Sequence, residues 1–227
     1  MEKLRIEGLI IKATPFQDYD RIISVLTPNE GLIKFFFKGS AAAKNNNASS
    51  TTPLTVVELI YSKGRSELLK CHEISILNHN LALRNNLAIL ETACDMLQVV
   101  NATQMPGKAC SNLYQLLLTF LKNLPTAHDP ATLGSSFRLK TLRSEGLWKN
   151  FSSCNQCGCD LMDSYNFEGN TYCKLHTPPH ALEISSSERD IFELLAFSRD
   201  LPLLNSLPMT QDLINKIKHL FNDLWST

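Results

Sequence analysis

Four metal-binding side chains form two pairs late in the chain, Cys154 with Cys157 and Cys173 with His176. Two residues lie within each pair and fifteen residues separate the pairs, which is the spacing of a tetrahedral zinc site. A two-residue gap lets one tight turn direct both side chains to the same ion. Because four protein ligands leave no open position for water, the pattern predicts a structural site rather than a catalytic one.

Alternatives stay open for these cysteines. Cys159 could replace His176 as the fourth ligand or lie next to the ligands without binding the metal, and all of these residues could instead be reduced thiols that cluster without a metal. A zinc hydrolase using Asp160 or Glu168 is a further rival, but it requires one of the four ligands to leave the metal.

The sequence offers no other pattern typical of an active site. It contains no phosphate-binding loop, no nucleophile elbow and no His-Glu-x-x-His pair. Cys71, His72 and Glu73 are consecutive, but on a strand His72 faces away from the other two. We therefore predict a protein that is not an enzyme.

Composition limits the possible partners and the possible cellular compartment of the protein. In 227 residues, 22 Lys and Arg balance 22 Asp and Glu, so any nucleic-acid surface must be a local patch. No apolar run reaches the roughly 18 residues that a membrane span needs, and the amino terminus lacks the apolar segment of a signal peptide. Seven cysteines, four of them within twenty residues, suit a reducing compartment. These features predict a cytoplasmic protein without a membrane partner.

The hydrophobic pattern predicts an α+β fold: an N-terminal OB-fold β-barrel followed by an α-helical domain with an inserted zinc-binding module. Five short runs rich in β-branched residues, without helices between them, favour a small Greek-key barrel. After Asn78 the apolar period becomes that of helices. The predicted apolar faces are Leu83, Leu87, Leu90, Cys94 and Leu97 for the first helix and Leu113, Leu116, Leu117, Phe120, Leu121 and Leu124 for the second. Ser187 and Asp190 predict a later helix start, with Ile191, Leu194 and Leu195 as its buried face. The predicted strands are 4–12, 21–27, 32–38, 53–61 and 67–76. The predicted domains are 1–78 (barrel), 79–150 (helical), 151–178 (zinc module) and 179–227 (C-terminal helices that pack on the helical domain).

The third predicted strand interleaves cations and aromatic rings. Alternation places Phe35 and Phe37 on one face and Lys34, Phe36 and Lys38 on the other. A ring between two lysines is typical of single-strand binders, in which the ring stacks on a base and the cations contact phosphates. An ordinary amphipathic strand is the alternative. Further cations could extend this surface: Arg21, Lys44, Lys63 and Arg65.

A second group of cations precedes the cysteines. Arg138, Lys140, Arg143 and Lys149 lie within twelve residues, and Lys140 and Arg143 share one helix face. A solvated charged face is the simplest interpretation. The alternatives are a second phosphate contact or a dock for an acidic peptide tail, with Arg138, Lys140 and Arg143 as the candidate residues.

Two stretches resemble the bacterial RecO family of recombination mediators. The order of strands leading to Leu26-Thr-Pro-Asn-Glu-Gly31, and then Lys38-Gly39, is similar to the opening of that family. The stretch from Phe137 to Gly158 resembles its Phe-x-x-x-x-Leu-x-x-x-Gly helix, which leads into a Cys-x-x-Cys-Gly knuckle. The resemblance spans nearly the whole chain in the right order.

The resemblance implies a function in recombinational DNA repair of the RecF type. RecO proteins bind single- and double-stranded DNA, anneal complementary strands and help to load recombinase on DNA coated with single-strand-binding protein. They act with RecR, contact the acidic tail of single-strand-binding protein and often hold zinc. Two departures occur here: the segment around Lys44 lacks the usual arginines, and His176 stands where cysteine is commoner. A zinc-containing protein-interaction adaptor that binds no DNA is the alternative function.

Overall fold

The computed structural model describes residues 3–17, 20–39, 50–64, 66–148 and 151–226. The chain divides into two compact units, residues 1–125 and 126–227. Helices of residues 79–125 thus fall in the same unit as the barrel, whereas the sequence analysis assigned them to a separate domain. The finer division into four parts stays a prediction.

The first unit contains a closed five-stranded barrel, which confirms the OB-like architecture of the α+β fold. The strands follow the order β1-β2-β3-β5-β4, and β4 pairs again with β1. All neighbours are antiparallel except β3 and β5, which pair in parallel. Their bounds are β1 Leu4–Phe16, β2 Asp20–Thr27, β3 Gly31–Phe37, β4 Val56–Ser62 and β5 Leu68–Asn78.

Alternating apolar residues of all five strands fill the barrel. Ile23, Phe35 and Leu59 are completely buried, and the rings of Phe35 and Tyr61 meet edge to face with centroids 5.3 Å apart. Burying such side chains gives about 1.5–3 kcal/mol each relative to exposure. The barrel interior is therefore a packed apolar core, and ligands must bind on its outer surface.

The turn between β2 and β3 requires glycine at position 31. Gly31 has φ of +67°, and a Cβ atom there would lie 2.4 Å from the carbonyl oxygen of Lys108. The same turn is joined to residues 105–110 by backbone hydrogen bonds of 3.0 Å, from Gly107 to Glu30 and from Cys110 to Pro28. These contacts attach the loop between two helices to the barrel.

Helices α1 (Leu87–Thr103) and α2 (Ser111–Asn123) complete the first unit. The predicted apolar face of the first helix was confirmed at Leu83 and Leu97, which are buried, and wrong at Leu87, which is 70% exposed, and at Cys94, which is also exposed. A second apolar stripe of the helix, formed by Ile89, Ala93, Met96 and Val100, is buried as well. The apolar face predicted for α2 is confirmed at Leu113, Leu117, Phe120, Leu121 and Leu124.

The second unit contains a group of packed helices and a small three-stranded sheet. Helix α3 packs against α4, α5 and α6, and strand β6 pairs with both β7 and β8. The bounds are α3 Pro130–Ser144, β6 Ser164–Phe167, β7 Asn170–Tyr172, β8 Leu182–Ile184, α4 Ser186–Phe197, α5 Leu201–Asn205 and α6 Gln211–Ser226. In the described part of the chain, no helix combines the length and the apolar character that crossing a bilayer requires.

The predicted start of α4 at Ser187 and Asp190 was wrong by two residues. Ser185 is the N-cap: its hydroxyl accepts from the Glu188 amide, and the Glu188 carboxylate accepts from the Ser185 amide. This reciprocal capping box satisfies two amides that the helix leaves unpaired. Of the predicted buried face, Leu195 is confirmed, whereas Ile191 and Leu194 are only half-buried and the helix buries Phe192 and Ala196 instead.

Candidate metal centre and candidate nucleic-acid interface

Two tight turns hold the predicted metal ligands. The first turn begins at Cys154, whose carbonyl accepts from the Gly158 amide at 2.8 Å, and Gly158 ends it with φ of +71°. The second is closed by a 3.0 Å hydrogen bond from the His176 amide to the Cys173 carbonyl. The hairpin of β6 and β7 connects the turns, as the spacing predicts. A 2.8 Å bond from the Asn155 amide to the Thr171 carbonyl fixes the first turn against that hairpin.

Cys154, Cys157, Cys173 and His176 bring their ligand atoms within 4.8 Å of one another. The Nδ1 atom of His176 lies 3.3 Å from Cys173 Sγ and 3.7 Å from Cys154 Sγ, and the Sγ atoms of Cys157 and Cys173 are 4.0 Å apart. A tetrahedral zinc with bonds of about 2.3 Å to sulfur separates its sulfur ligands by about 3.8 Å. The cluster therefore has the donors and the spacing to hold a metal ion.

The ionisation of the thiols separates Cys159 from this group. Burial would raise the pKa of Cys154, but amide donors at Cys157, Cys173 and Gln156 outweigh it and lower the pKa to about 5. Cys159 lies 3.4 Å from Cys157 Sγ, and its hydrogen bond to Cys157 raises its pKa to about 12. The choice of the fourth ligand depends on distance instead: Nδ1 of His176 lies with the Sγ atoms of Cys154, Cys157 and Cys173 within 4.8 Å, which favours His176 and leaves Cys159 beside the cluster.

The outer face of the barrel carries the predicted cation and aromatic pattern. Phe35 and Phe37 are buried, whereas Lys34 is exposed and Phe36 is half-buried, so the predicted alternation is confirmed. The ring of Phe36 meets Phe16 of β1 edge to face, with centroids 5.9 Å apart. Two aromatic rings therefore lie on this face, which in OB folds is a common nucleic-acid platform.

Strand register adds two lysines that the sequence analysis missed. Ser24 of β2 lies between Lys12 of β1 and Lys34 of β3 in one cross-strand row. In a second row, Phe36 of β3 pairs with Lys70 of the parallel strand β5. Lys12, Lys34 and Lys70 are exposed and have no side-chain partner among the described residues. Alternation along β1 and β5 could have placed Lys12 and Lys70 on outer faces. Only the strand order shows that these faces adjoin Phe36.

The other predicted DNA contacts lie in different surroundings. Arg21 pairs with Phe37, whose side chain is buried in the barrel, so Arg21 occupies a position on the inner face of β2, near the end of the barrel. Lys63 is 3.4 Å from the Glu30 carboxylate, which offsets its charge. Lys38 is exposed directly after β3, on the side of Lys34 and Phe36. Lys44 and Arg65 lie outside the described residues.

Two of the three predicted peptide-docking cations bind their own unit. Lys140 Nζ donates to the carbonyls of Ser198 at 2.5 Å and Ala196 at 3.4 Å, and Arg143 also donates to Ala196. They thereby cap the carboxyl end of α4, where cations are favourable. The Arg143 guanidinium also stacks over Phe197, 4.4 Å from the ring centroid. Arg138 is half-buried on the same helix.

Comparison with known proteins covers both units. A family model described as recombination protein O N terminal matches residues 1–80, and one described as recombination protein O C terminal matches residues 87–224. A DNA repair protein RecO of Chlamydia pneumoniae is 26% identical over 96% of this chain and 87% of its own length. One of Acetivibrio thermocellus is 29% identical over 74% of this chain and 66% of its own length.

Proposed function

The chain belongs to the RecO family of DNA repair proteins, and on that premise we propose that it is a DNA-binding recombination mediator without catalytic activity. It anneals complementary strands and assists recombinase loading on single-stranded DNA coated with single-strand-binding protein. Its partners are single- and double-stranded DNA, RecR and the acidic tail of single-strand-binding protein. This work takes place in the cytoplasm, where the bacterial chromosome lies.

The observation that carries the proposal is the row of unpaired lysines beside two aromatic rings on the barrel. Lys12, Lys34 and Lys70 neutralise phosphates while Phe36 stacks on a base. Neutralising the phosphates of two strands reduces their repulsion, which lets a protein without ATP accelerate annealing. With so few cations, binding is weak to moderate and strongly dependent on salt.

Fluorescence anisotropy of a labelled oligonucleotide at low and moderate salt tests this proposal, followed by addition of the complementary strand. We expect salt-sensitive binding and faster annealing. Lys34→Ala should lower the slope of log affinity against log salt by about 0.7. Lys122→Ala is the matched control, because Lys122 is an exposed cation of the same unit that lines a different groove, beside Val56 and Asn78. If both variants gave the same slope of log affinity against log salt, Lys34 would not be part of the DNA interface.

We further propose that the four-residue cluster holds one structural Zn²⁺. Three thiolates and one imidazole are a donor set that zinc prefers, and they link two turns in a segment too short to build a core of its own. The bound ion would hold the β6–β7 hairpin in place through these four side chains. Metal analysis of the purified protein should find one zinc per chain, and a metal-free protein of unchanged melting temperature would refute this assignment.

Contact with the acidic tail of single-strand-binding protein is proposed for the surface around Arg138, Lys140 and Arg143. Arg143 lies over the exposed ring of Phe197, so a cation and an apolar surface adjoin, as an acidic apolar peptide requires. Arg143→Gln should weaken binding of the tail peptide, whereas Arg143→Lys, which retains the charge, should weaken it less. Equal binding by both variants and the unaltered protein would exclude this residue.

A specific observation also favours the adaptor alternative. Leu77, Leu81 and Leu87 are 53%, 64% and 70% exposed within eleven residues of sequence in the first unit, and exposed apolar side chains that lie together mark protein-docking surfaces. Failure to bind any oligonucleotide, even at low salt, would favour the adaptor. Binding of RecR can be tested separately by sedimentation of the two proteins mixed.

A further inference from the structure

A pocket of about 310 Å³ opens between strand β1 and helix α1 of the first unit. Ile11 and Leu97, both buried, contribute apolar walls, while Lys12, Gln98 and Asn101 contribute exposed polar groups. Its volume is at the lower end of the range for small-molecule sites, and a mostly apolar lining with a few polar groups is usual in such sites.

A β-bulge lies in the wall of this pocket. The pairing of β1 with β2 shifts between Ile10 and Lys12, so that Ile11 is the extra residue. In a regular strand, neighbouring side chains point to opposite faces. Here the bulge lets Ile11 and Lys12 line the same pocket. Bulges are frequent where a strand must redirect a side chain at a binding site.

The polar groups of the pocket are available to a ligand. The side chains of Gln98 and Asn101 are exposed on α1 and make no hydrogen bond with any residue that the structure describes. Each amide offers both donors and an acceptor. Base edges present the same mixture, and Asn and Gln are common partners of adenine in particular.

The pocket continues the proposed DNA-binding face. Lys12 lines the pocket and lies in one cross-strand row with Ser24 and Lys34. Lys12 and Lys34 are two strands apart, or about 10 Å, and Phe16 follows Lys12 by about 13 Å along β1. A strand that stacks on Phe36 can therefore reach the pocket within a few nucleotides.

We propose that this pocket binds one unstacked nucleobase of a single DNA strand. The inference rests on the proposed function and extends it. The base enters between Ile11 and Leu97, and its polar edge hydrogen-bonds to Gln98 and Asn101. Lys12 contacts the adjacent phosphate. A base in this pocket meets no aromatic ring, because the described lining contains none, whereas a base on Phe36 is stacked.

Fluorescence can distinguish an unstacked base in the pocket from a base stacked on Phe36. An oligonucleotide carrying 2-aminopurine at successive positions is bound to the full chain, because 2-aminopurine brightens when it leaves a stack. We expect one or two positions to brighten on binding. The double variant Gln98→Ala/Asn101→Ala should lose the brightening and about tenfold in affinity. The matched control is Asn112→Ala/Gln115→Ala, which removes the same two amides from the exposed face of α2.

Two results would overturn the inference. Salt-sensitive binding in which no position brightens, or in which the two double variants behave alike, would refute the pocket and leave the proposed function standing. Absence of binding to any oligonucleotide at low salt would refute both. Circular dichroism melting of each variant confirms that the surface substitutions leave the fold unchanged.

Discussion

Lysines on the barrel of the first unit extend into solvent, whereas several cations of the second unit bind its own backbone and carboxylates. Lys140 and Arg143 cap α4, and Arg189 donates to the carbonyls of Phe151 and Leu161. Lys216 is 2.7 Å from Glu188. The cation cluster that is densest in sequence, just before the cysteines, is thus largely used in stabilising the fold. By contrast, Lys12, Lys34 and Lys70 of the barrel make no such contact with any residue that the structure describes.

The units also differ in what stabilises them. A closed sheet surrounds the apolar core of the first unit, so its outer face can change without loss of the fold. The second unit includes a segment with three very short strands beside the Cys and His cluster. Substitutions should therefore affect ligand binding in the first unit and stability in the second.

The largest expected effect is on the metal cluster. Cys157→Ser should lower zinc content and melting temperature together, because metal binding contributes directly to the stability of small metal modules. The loss should be on the order of several kcal/mol. Cys159→Ser is the matched control and should retain one zinc. Metal analysis and thermal unfolding measure both quantities. Loss of zinc in the Cys159 variant instead would assign the fourth ligand to Cys159.

The next effect concerns the barrel face. Phe36→Leu preserves apolar contact with Phe16 but removes the stacking ring, so DNA affinity should fall by about 1–3 kcal/mol. The melting temperature should change little. Anisotropy titrations and thermal unfolding report the two properties. A variant with a much lower melting temperature and normal DNA affinity would show that Phe36 is a packing residue. That result would contradict the expectation that substitutions on the barrel face change DNA binding rather than stability.

The reverse pattern is expected for the cap of α4. Lys140→Met together with Arg143→Ala removes the cationic donors to Ala196 and Ser198 and should destabilise the protein by about 1–3 kcal/mol. DNA affinity should stay within twofold. Urea unfolding and anisotropy test this. A large loss of DNA affinity at unchanged stability would show that these cations are also part of the DNA interface.

The smallest effect is a pH dependence. Burial, with repulsion from Arg143 and Arg199, lowers the pKa of Lys140 to about 8. Between pH 8 and about 10.5 the folded amine is neutral while the unfolded one is protonated, so unfolding takes up a proton and stability rises with pH. Partial exposure of the amine limits the gain to less than about 1 kcal/mol. Urea unfolding should show this rise in the unaltered protein and not in Lys140→Met.

Local patterns predicted most of the elements. The five strands and the Cys and His pairs depend on alternation, turn residues and short spacings, all of which lie within a few neighbouring residues. The face of α1 was mispredicted in part because two apolar stripes satisfy helical spacing, and only the tertiary fold buries Ile89 while it leaves Leu87 exposed.

The candidate interface was predictable only in part. Phe36 and its flanking lysines were visible on one strand, but Lys70 is thirty-four residues away in sequence and adjoins Phe36 through the parallel pairing. Likewise, nothing near Lys140 indicates that Ser198 supplies its acceptor. Such pairings depend on the tertiary fold, so a count of nearby charges could not separate capping cations from free ones.

The turn at Gly31 has a practical consequence for dissecting the protein. Its backbone is hydrogen-bonded to residues 107 and 110, and Cys110 Sγ donates to the Thr27 carbonyl at 3.2 Å. A fragment that ends at residue 80 would contain every barrel strand but would leave these carbonyls without their partners. A fragment that ends at residue 125 would keep them. Expression trials of the isolated barrel should therefore include both helices that follow it.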